Sequence, residues 1–201
     1  MIAAAPLPAG VREAAPEEAG ALAGILADAF SADPFNLWLL GRPALIETAF
    51  RILIEELYAK RGQLFLNGNS GAAVWIDSQK RGDLSIFAQL RWAFAMLTGG
   101  RPQAVTRGMA AGEAMEKAHP TEPHLYLFLI GTRQSARGTG AGKALMAPML
   151  AACDRDGMPC YLESSDPANL GFYRAHGFEV TGELRVQDGA PPLIPMWREP
   201  R

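Results

Sequence analysis

The stretch from His124 to Cys153 constrains this chain more than any other. It opens with Leu125 to Ile130, a continuous apolar run of strand length, which reads as a strand buried on both faces near the middle of a sheet. A glycine-rich turn follows, and then Leu145, Met149, Ala152 and Cys153 mark a helix. In Arg137-Gly138-Thr139-Gly140-Ala141-Gly142-Lys143, successive backbone N–H groups and the positive end of that helix converge on one point, where an anion is favoured. The alternate glycines keep Cβ atoms away, so the backbone can approach a phosphate closely. No Asp or Glu occurs from Pro123 to Cys153, whereas Arg133, Arg137 and Lys143 all do. The patch is locally cationic. Taken alone, such a turn reads equally well as a bend that needs only flexibility.

The charge of the whole chain sharpens this. With 19 Lys+Arg against 21 Asp+Glu in 201 residues, the formal charge is −2, so nothing global attracts nucleic acid or an anionic membrane surface. A polyanionic ligand must be held by a local site. The length suits one globular domain, and 49% hydrophobic residues supply one core. The longest apolar runs fall well short of the roughly 18 residues of a membrane span. Met1 to Gly10 lacks the charged and apolar regions of a secretory signal, so a cytoplasmic location is expected. Cys153 and Cys160 with three scattered histidines offer neither a disulfide framework nor metal-ligand spacing.

Helices are expected after the acidic turn Glu17-Glu18, from Pro43 to Gly62, from Asp83 as cap through the stripe Leu84, Phe87, Leu90, Phe94 and Leu97, and from Ala104 to Ala118. Leu64 to Leu66 and Ala72 to Ile76, joined by Asn67 to Gly71, read as a β-hairpin. Pro159 to Ser164, Phe178 to Leu184 and Leu193 to Trp197 are further strands, and Asp166 to His176 is a short helix. Pro148 predicts a kink in the helix after the glycine turn. The order argues an α/β (α+β) sandwich around a mixed sheet.

Spacing separates the families that use such a turn. A P-loop needs a glycine five residues before Gly142, where Arg137 stands, and a hydroxyl where Ala144 stands. A dinucleotide fingerprint needs G-x-G-x-x-G, but Gly138, Gly140 and Gly142 are spaced G-x-G-x-G. The pattern R-x-x-G-x-G from Arg137 to Gly142 resembles the pyrophosphate signature of the Gcn5-related N-acetyltransferase (GNAT) superfamily. Farther on, Asn169-x-x-x-Tyr173-x-x-x-Gly177-Phe178 is similar to the second signature of that superfamily, and Asn169 and Tyr173 share one helix face with Phe172 turned away. Tyr161 to Ser165, Asn169 to Phe178 and Val180 to Gly182 resemble the puromycin N-acetyltransferase branch. Ala136, and the missing proline in Arg133 to Ala136, depart from the usual pattern.

The resemblance implies a mostly antiparallel mixed sheet flanked by helices, with a splayed parallel strand pair forming the coenzyme cleft. It implies one domain, with an acceptor-side half over about residues 1–120 and a coenzyme-binding half over about 121–201. Acetyl-coenzyme A would be the cosubstrate, without a metal. Ile130, Gly131 and Thr132 would pair with the pantetheine arm through a bulged strand, and Arg137, Gly138, Thr139, Gly140, Ala141, Gly142 and Lys143 would hold the diphosphate. Asn169 would touch the coenzyme and Tyr173 would meet the departing thiolate. Glu163 stands as base, with Asp33, Asp77, His124 or a water chain as competitors and an arginine-paired carboxylate as its bland alternative. His176 is expected to cap its helix and His119 to lie at the surface. Phe35, Trp38 and Trp75, with Phe87 and Trp92, are the aromatic candidates for an acceptor pocket, which favours a small, partly hydrophobic amine. The partner is then a small molecule, neither nucleic acid nor membrane, on a monomer or homodimer. The opposing expectation is a coenzyme-binding regulatory module without catalysis.

Overall fold

The computed structural model describes residues 2–201. Its centre is a seven-stranded sheet: β1 (Val11–Glu13), β2 (Gln63–Asn67), β3 (Gly71–Asp77), β4 (Leu125–Thr132), β5 (Cys160–Ser164), β6 (Glu179–Val180) and β7 (Ile194–Arg198), ordered β1-β2-β3-β4-β5-β7-β6. Every neighbouring pair is antiparallel except β4 and β5. Those two pair only at Leu125↔Cys160 and Tyr126↔Tyr161 and then part, which opens a cleft between them.

A bulge in β4 sets the cleft. The β3–β4 register runs Val74↔Leu129 and then Trp75↔Leu127, so Phe128 is the extra residue. The core records the resulting phase change. Tyr126 and Leu129 join the apolar cluster under α1 (Ala19–Ala29) and α3 (Pro43–Leu53), while Leu125, Leu127 and Ile130 join the cluster under α6 (Ala141–Asp156). In β2 and β3 the same division is strictly alternate, with Leu64, Leu66, Ala72, Val74 and Ile76 on one face and Phe65, Ala73 and Trp75 on the other. Both faces of the central sheet are covered, which is why β4 reads as an unbroken apolar run.

Local chemistry explains the helix ends. Asp33 caps α2 (Pro34–Leu40) by accepting from the Asn36 amide at 2.8 Å, and Gly41 ends that helix at φ +83°. Beyond α3 the chain continues as a π-helical turn over Ile54–Tyr58. Ser85, not Asp83, caps α4 (Ile86–Thr98), its hydroxyl accepting from the Ala88 amide at 3.1 Å. The short strand β1 and the helix α2 carry too few residues to show a period, and the sequence did not announce them.

Several expectations fail here. The stripe expected to bury α4 faces solvent: Phe87 is 79% and Phe94 70% exposed, and Leu90 and Leu97 are also exposed. The buried face is instead Ala88, Trp92, Ala95 and Met96, because α5 (Gln103–Ala118) meets it at Gly108, where a Cβ would fall 2.4 Å from the Trp92 ring. Trp75 is wholly buried beneath α6 and is a core residue. Pro148 lies inside α6, which is one helix over Ala141–Asp156. The strand expected over Phe178 to Leu184 shrinks to β6 and an isolated Leu184↔Leu193 bridge. After β5, α7 (Leu170–Ala175) follows a turn capped by Asp166, whose carboxylate accepts from the Ala168 amide at 2.9 Å.

Candidate active site

At the head of α6 the glycine turn forms a recess of about 350 Å³. Gly138 and Gly140 take φ +78° and +85°, the left-handed region that glycine enters without strain. The first amide of α6 to bond back along the helix belongs to Ala144, which donates to the Gly140 carbonyl at 3.0 Å. The amides of Ala141, Gly142 and Lys143 therefore have no intrahelical partner, as at any helix start, and they open on the recess. Thr139 is turned inward, with its amide 3.4 Å and its hydroxyl 2.8 Å from the Ala136 carbonyl. Arg137 and Lys143 border the recess and are exposed, and Phe172 and His176 close its far side. The His176 ring nitrogen lies 2.8 Å from the Phe172 carbonyl, the helix-end contact expected of it. The turn is moored to α1 by the Gln134 amide, which donates to Asp28 at 2.8 Å.

The open edge of β4 leads away from this recess. The Arg133 amide donates to the Ser70 carbonyl at 2.8 Å, continuing the Thr132↔Gly71 register as a hydrogen-bonded pair. Such pairs alternate in an antiparallel ladder, so Gly131 and Leu129 face β3 while Ile130 and Thr132 turn their main-chain groups to the other edge, where β5 has parted. Gly131 serves a different purpose: a Cβ there would lie 2.6 Å from that of Ala29, so α1 depends on its absence.

A cavity of about 900 Å³ lies against the same strand at Leu127 to Ile130. Ile130, Asn169 and Tyr173 line its coenzyme-side wall, Glu163 and Tyr126 its floor, and Phe35, Tyr58, Phe128 and Trp92 its far wall. Ile86, Leu90 and Met109 form a rim that is also exposed to solvent. Phe35 thus lies where expected. Trp38 does not line the cavity; it packs beside Phe35 with the Arg107 guanidinium 4.7 Å from its ring centroid. Trp75 is excluded by its burial on the opposite sheet face.

Tyr173 is buried, and burial first and the charge of Asp33 second push its phenol well above the usual range. Asp33 is also buried, with its carboxyl raised mainly by desolvation even though Ser165 donates to it at 2.6 Å. It is engaged as a cap. Asp77 likewise caps a turn, accepting from the Gln79 amide at 3.0 Å. Glu163 is not paired with an arginine: Tyr126 donates to its Oε2 at 2.6 Å, and Oε1 has no protein partner. His119 is not a surface residue. Its side chain is 5% exposed, with Nδ1 3.9 Å from Glu163 Oε1 and Nε2 2.9 Å from His124 Nε2. Burial lowers His124 to a pKa of about 4. Tyr126, Tyr58 and His119 carried no sequence signal for this place, because they read locally as strand, helix and loop residues respectively. Among the described residues no group of three or more His, Cys, Asp or Glu is placed to hold a metal ion.

A mixed sheet opened between its parallel strands, with unpaired amides at the head of the next helix, defines the GNAT class of fold. Residues 104–199 match the family model described as acetyltransferase (GNAT) domain. An uncharacterized N-acetyltransferase of Schizosaccharomyces pombe is 34% identical over 77 residues, which is 37% of this chain and 31% of the relative's own length. The structure of histone acetyltransferase HPA2 and related acetyltransferase from Corynebacterium glutamicum shares the fold with a TM-score of 0.65 at 24% identity, over 95% of this chain and 96% of that one. That of the paia N-acetyltransferase from Thermoplasma acidophilum in complex with coenzyme A does so with a TM-score of 0.50 at 11% identity, over 94% and 97%. The chain thus has a GNAT-type fold, and its segment 104–199 matches the model of that acetyltransferase domain.

Proposed function

We propose that this chain transfers the acetyl group of acetyl-coenzyme A to the amine of a small, partly hydrophobic acceptor by direct attack. One observation supports this above the rest: the open edge of β4 borders the recess with its free α6 amides at Thr132 and the cavity with Tyr173 and Glu163 at Ile130. Gly138, Gly140, Ala141, Gly142 and Lys143 would hold the diphosphate through main-chain N–H groups, with Arg137 and Lys143 adding charge. Ile130 to Thr132 would guide the pantetheine arm on one side, and Asn169 would touch it on the other. Bound acetyl-coenzyme A supplies an acyl group already activated as a thioester.

The protein's own groups do the rest. A main-chain N–H at Ile130 or its neighbour faces the oxygen on which charge develops. Tyr173 presents its hydroxyl to the departing sulfur. A free phenol has a pKa of about 10 and a thiol about 8.5, so full transfer is uphill by roughly 2 kcal/mol. Burial, which raises the pKa of Tyr173, makes it steeper, and the phenol acts by a hydrogen bond that matures late in the step. Glu163, its carboxylate held by Tyr126, accepts the proton the amine must lose, directly or through one water. The aromatic and aliphatic walls favour an acceptor with an apolar body.

Thiol release from acetyl-coenzyme A across a panel of small amines, beside calorimetric titration with coenzyme A, tests this. Turnover of at least one amine is expected. Tight coenzyme binding with no acceptor turned over would make the chain a silent regulatory module. Thermal stabilisation by a magnesium nucleotide and not by coenzyme A would overturn both.

A further inference from the structure

The buried histidines behind Glu163 have no place in the mechanism above, and their hydrogen bonds dictate where their protons sit. His124 Nδ1 lies 2.7 Å from the Glu122 carbonyl, which only accepts, so Nδ1 carries the hydrogen. Kept neutral by burial, His124 then presents a lone pair at Nε2. The 2.9 Å contact between the two Nε2 atoms requires His119 to donate there. The remaining nitrogen of His119, Nδ1, is left as a buried lone pair with no protein partner, 3.9 Å from the unpartnered Oε1 of Glu163, and the buried Tyr161 hydroxyl, the donor of this group, acts on Glu163 and not on His119. Two buried acceptors that face each other are costly until a proton comes between them.

We propose that His119 is a positioning residue for acetyl transfer, its Nδ1 held open by His124 to receive the proton that Glu163 takes from the acceptor. The inference rests on the acetyl-transfer reading. The acceptor enters as an ammonium and gives one proton to the Glu163 carboxylate, which passes a proton to His119 Nδ1 and leaves an imidazolium beside a carboxylate. The uncharged amine then forms the C–N bond as the C–S bond breaks. Its second proton reaches the sulfur at the Tyr173 hydroxyl, and His119 returns its proton to solvent. The groups packed around His119 are compatible with this. Tyr126 and Tyr161 meet its ring edge-on at 5.0 Å, and their phenols stay protonated because burial raises them. The one cation nearby, Arg81, lies over the outer side of the Tyr126 ring at 5.6 Å and is paired with Glu116 at 2.7 Å.

Two measurements decide it. In 15N-histidine spectra of the whole chain at alkaline pH, His124 should be protonated at Nδ1 and His119 at Nε2; a His119 protonated at Nδ1 alone overturns the assignment. In His119→Gln the side-chain amide can still donate toward His124 but has no basic nitrogen. With acetyl-coenzyme A and 2-phenylethylamine, kcat should fall at least tenfold while the coenzyme KM stays within twofold and the melting temperature within a few degrees. A kcat within twofold of the parent overturns the proposal. If the parent turns over no amine, the acetyl-transfer reading fails instead, and the spectra still decide the tautomers.

Discussion

Residue by residue, the cleft is built from groups whose ionisation is set by burial rather than by neighbouring charge. Tyr173 is the clearest case, since desolvation and Asp33 both oppose the phenolate. In the proposed reaction it is a neutral donor. Tyr173→Phe should lower kcat by about 10- to 100-fold, with the coenzyme KM changed less than about threefold, because the hydroxyl acts on the leaving group and not on binding. Steady-state thiol release checks this, and an unchanged kcat would remove Tyr173 from the mechanism. Asn169 and Tyr173 could be singled out in the sequence because one signature spans them, whereas Glu163 was one of several candidate bases, named for its place on the strand beside Tyr161. His119 and Tyr126 were not, since the one stands before a proline in a loop and the other inside an apolar strand.

Among the elements, β4 decides most. Its bulge puts Phe128 and Leu129 on the same sheet face and so shifts the phase of Ile130, and its parting from β5 leaves the edge on which a ligand can pair. Helix α1 approaches β4 closely at Gly131. Gly131→Ala would set a Cβ 2.6 Å from Ala29, and urea unfolding should show a loss of about 1–3 kcal/mol as α1 is pushed away. For α4 the periodic stripe in the sequence pointed to the wrong face. Phe94→Glu should change stability by no more than about 0.5 kcal/mol, because that ring is already 70% in water. A loss above about 2 kcal/mol in the same experiment would place that face in the core after all.

For the molecule as a whole, pH enters through His124. Its folded pKa of about 4 lies below the model-peptide value of 6.5, so between those values the unfolded chain binds a proton that the native one refuses. Stability is therefore fully present above pH 6.5 and is lost as pH falls through 4. Urea midpoints measured across that window should decline, and the decline should be shallower in His124→Asn. Arg198 holds the far end of the sheet to α6 through Asp154, at 2.7 and 2.8 Å, and that carboxyl, lowered by the guanidinium, adds its own loss only at more acid pH. What the chain itself determined is local: the hairpin, the capped short helix and the anion cradle follow from positive-φ glycines, capping oxygens and unpaired first-turn amides a few residues apart. Which aromatics face the cavity, which side of α4 is buried and what stands behind Glu163 were decided only by tertiary structure. Those contacts join segments dozens of residues apart, and local periodicity cannot tell which of several apolar faces will find a partner.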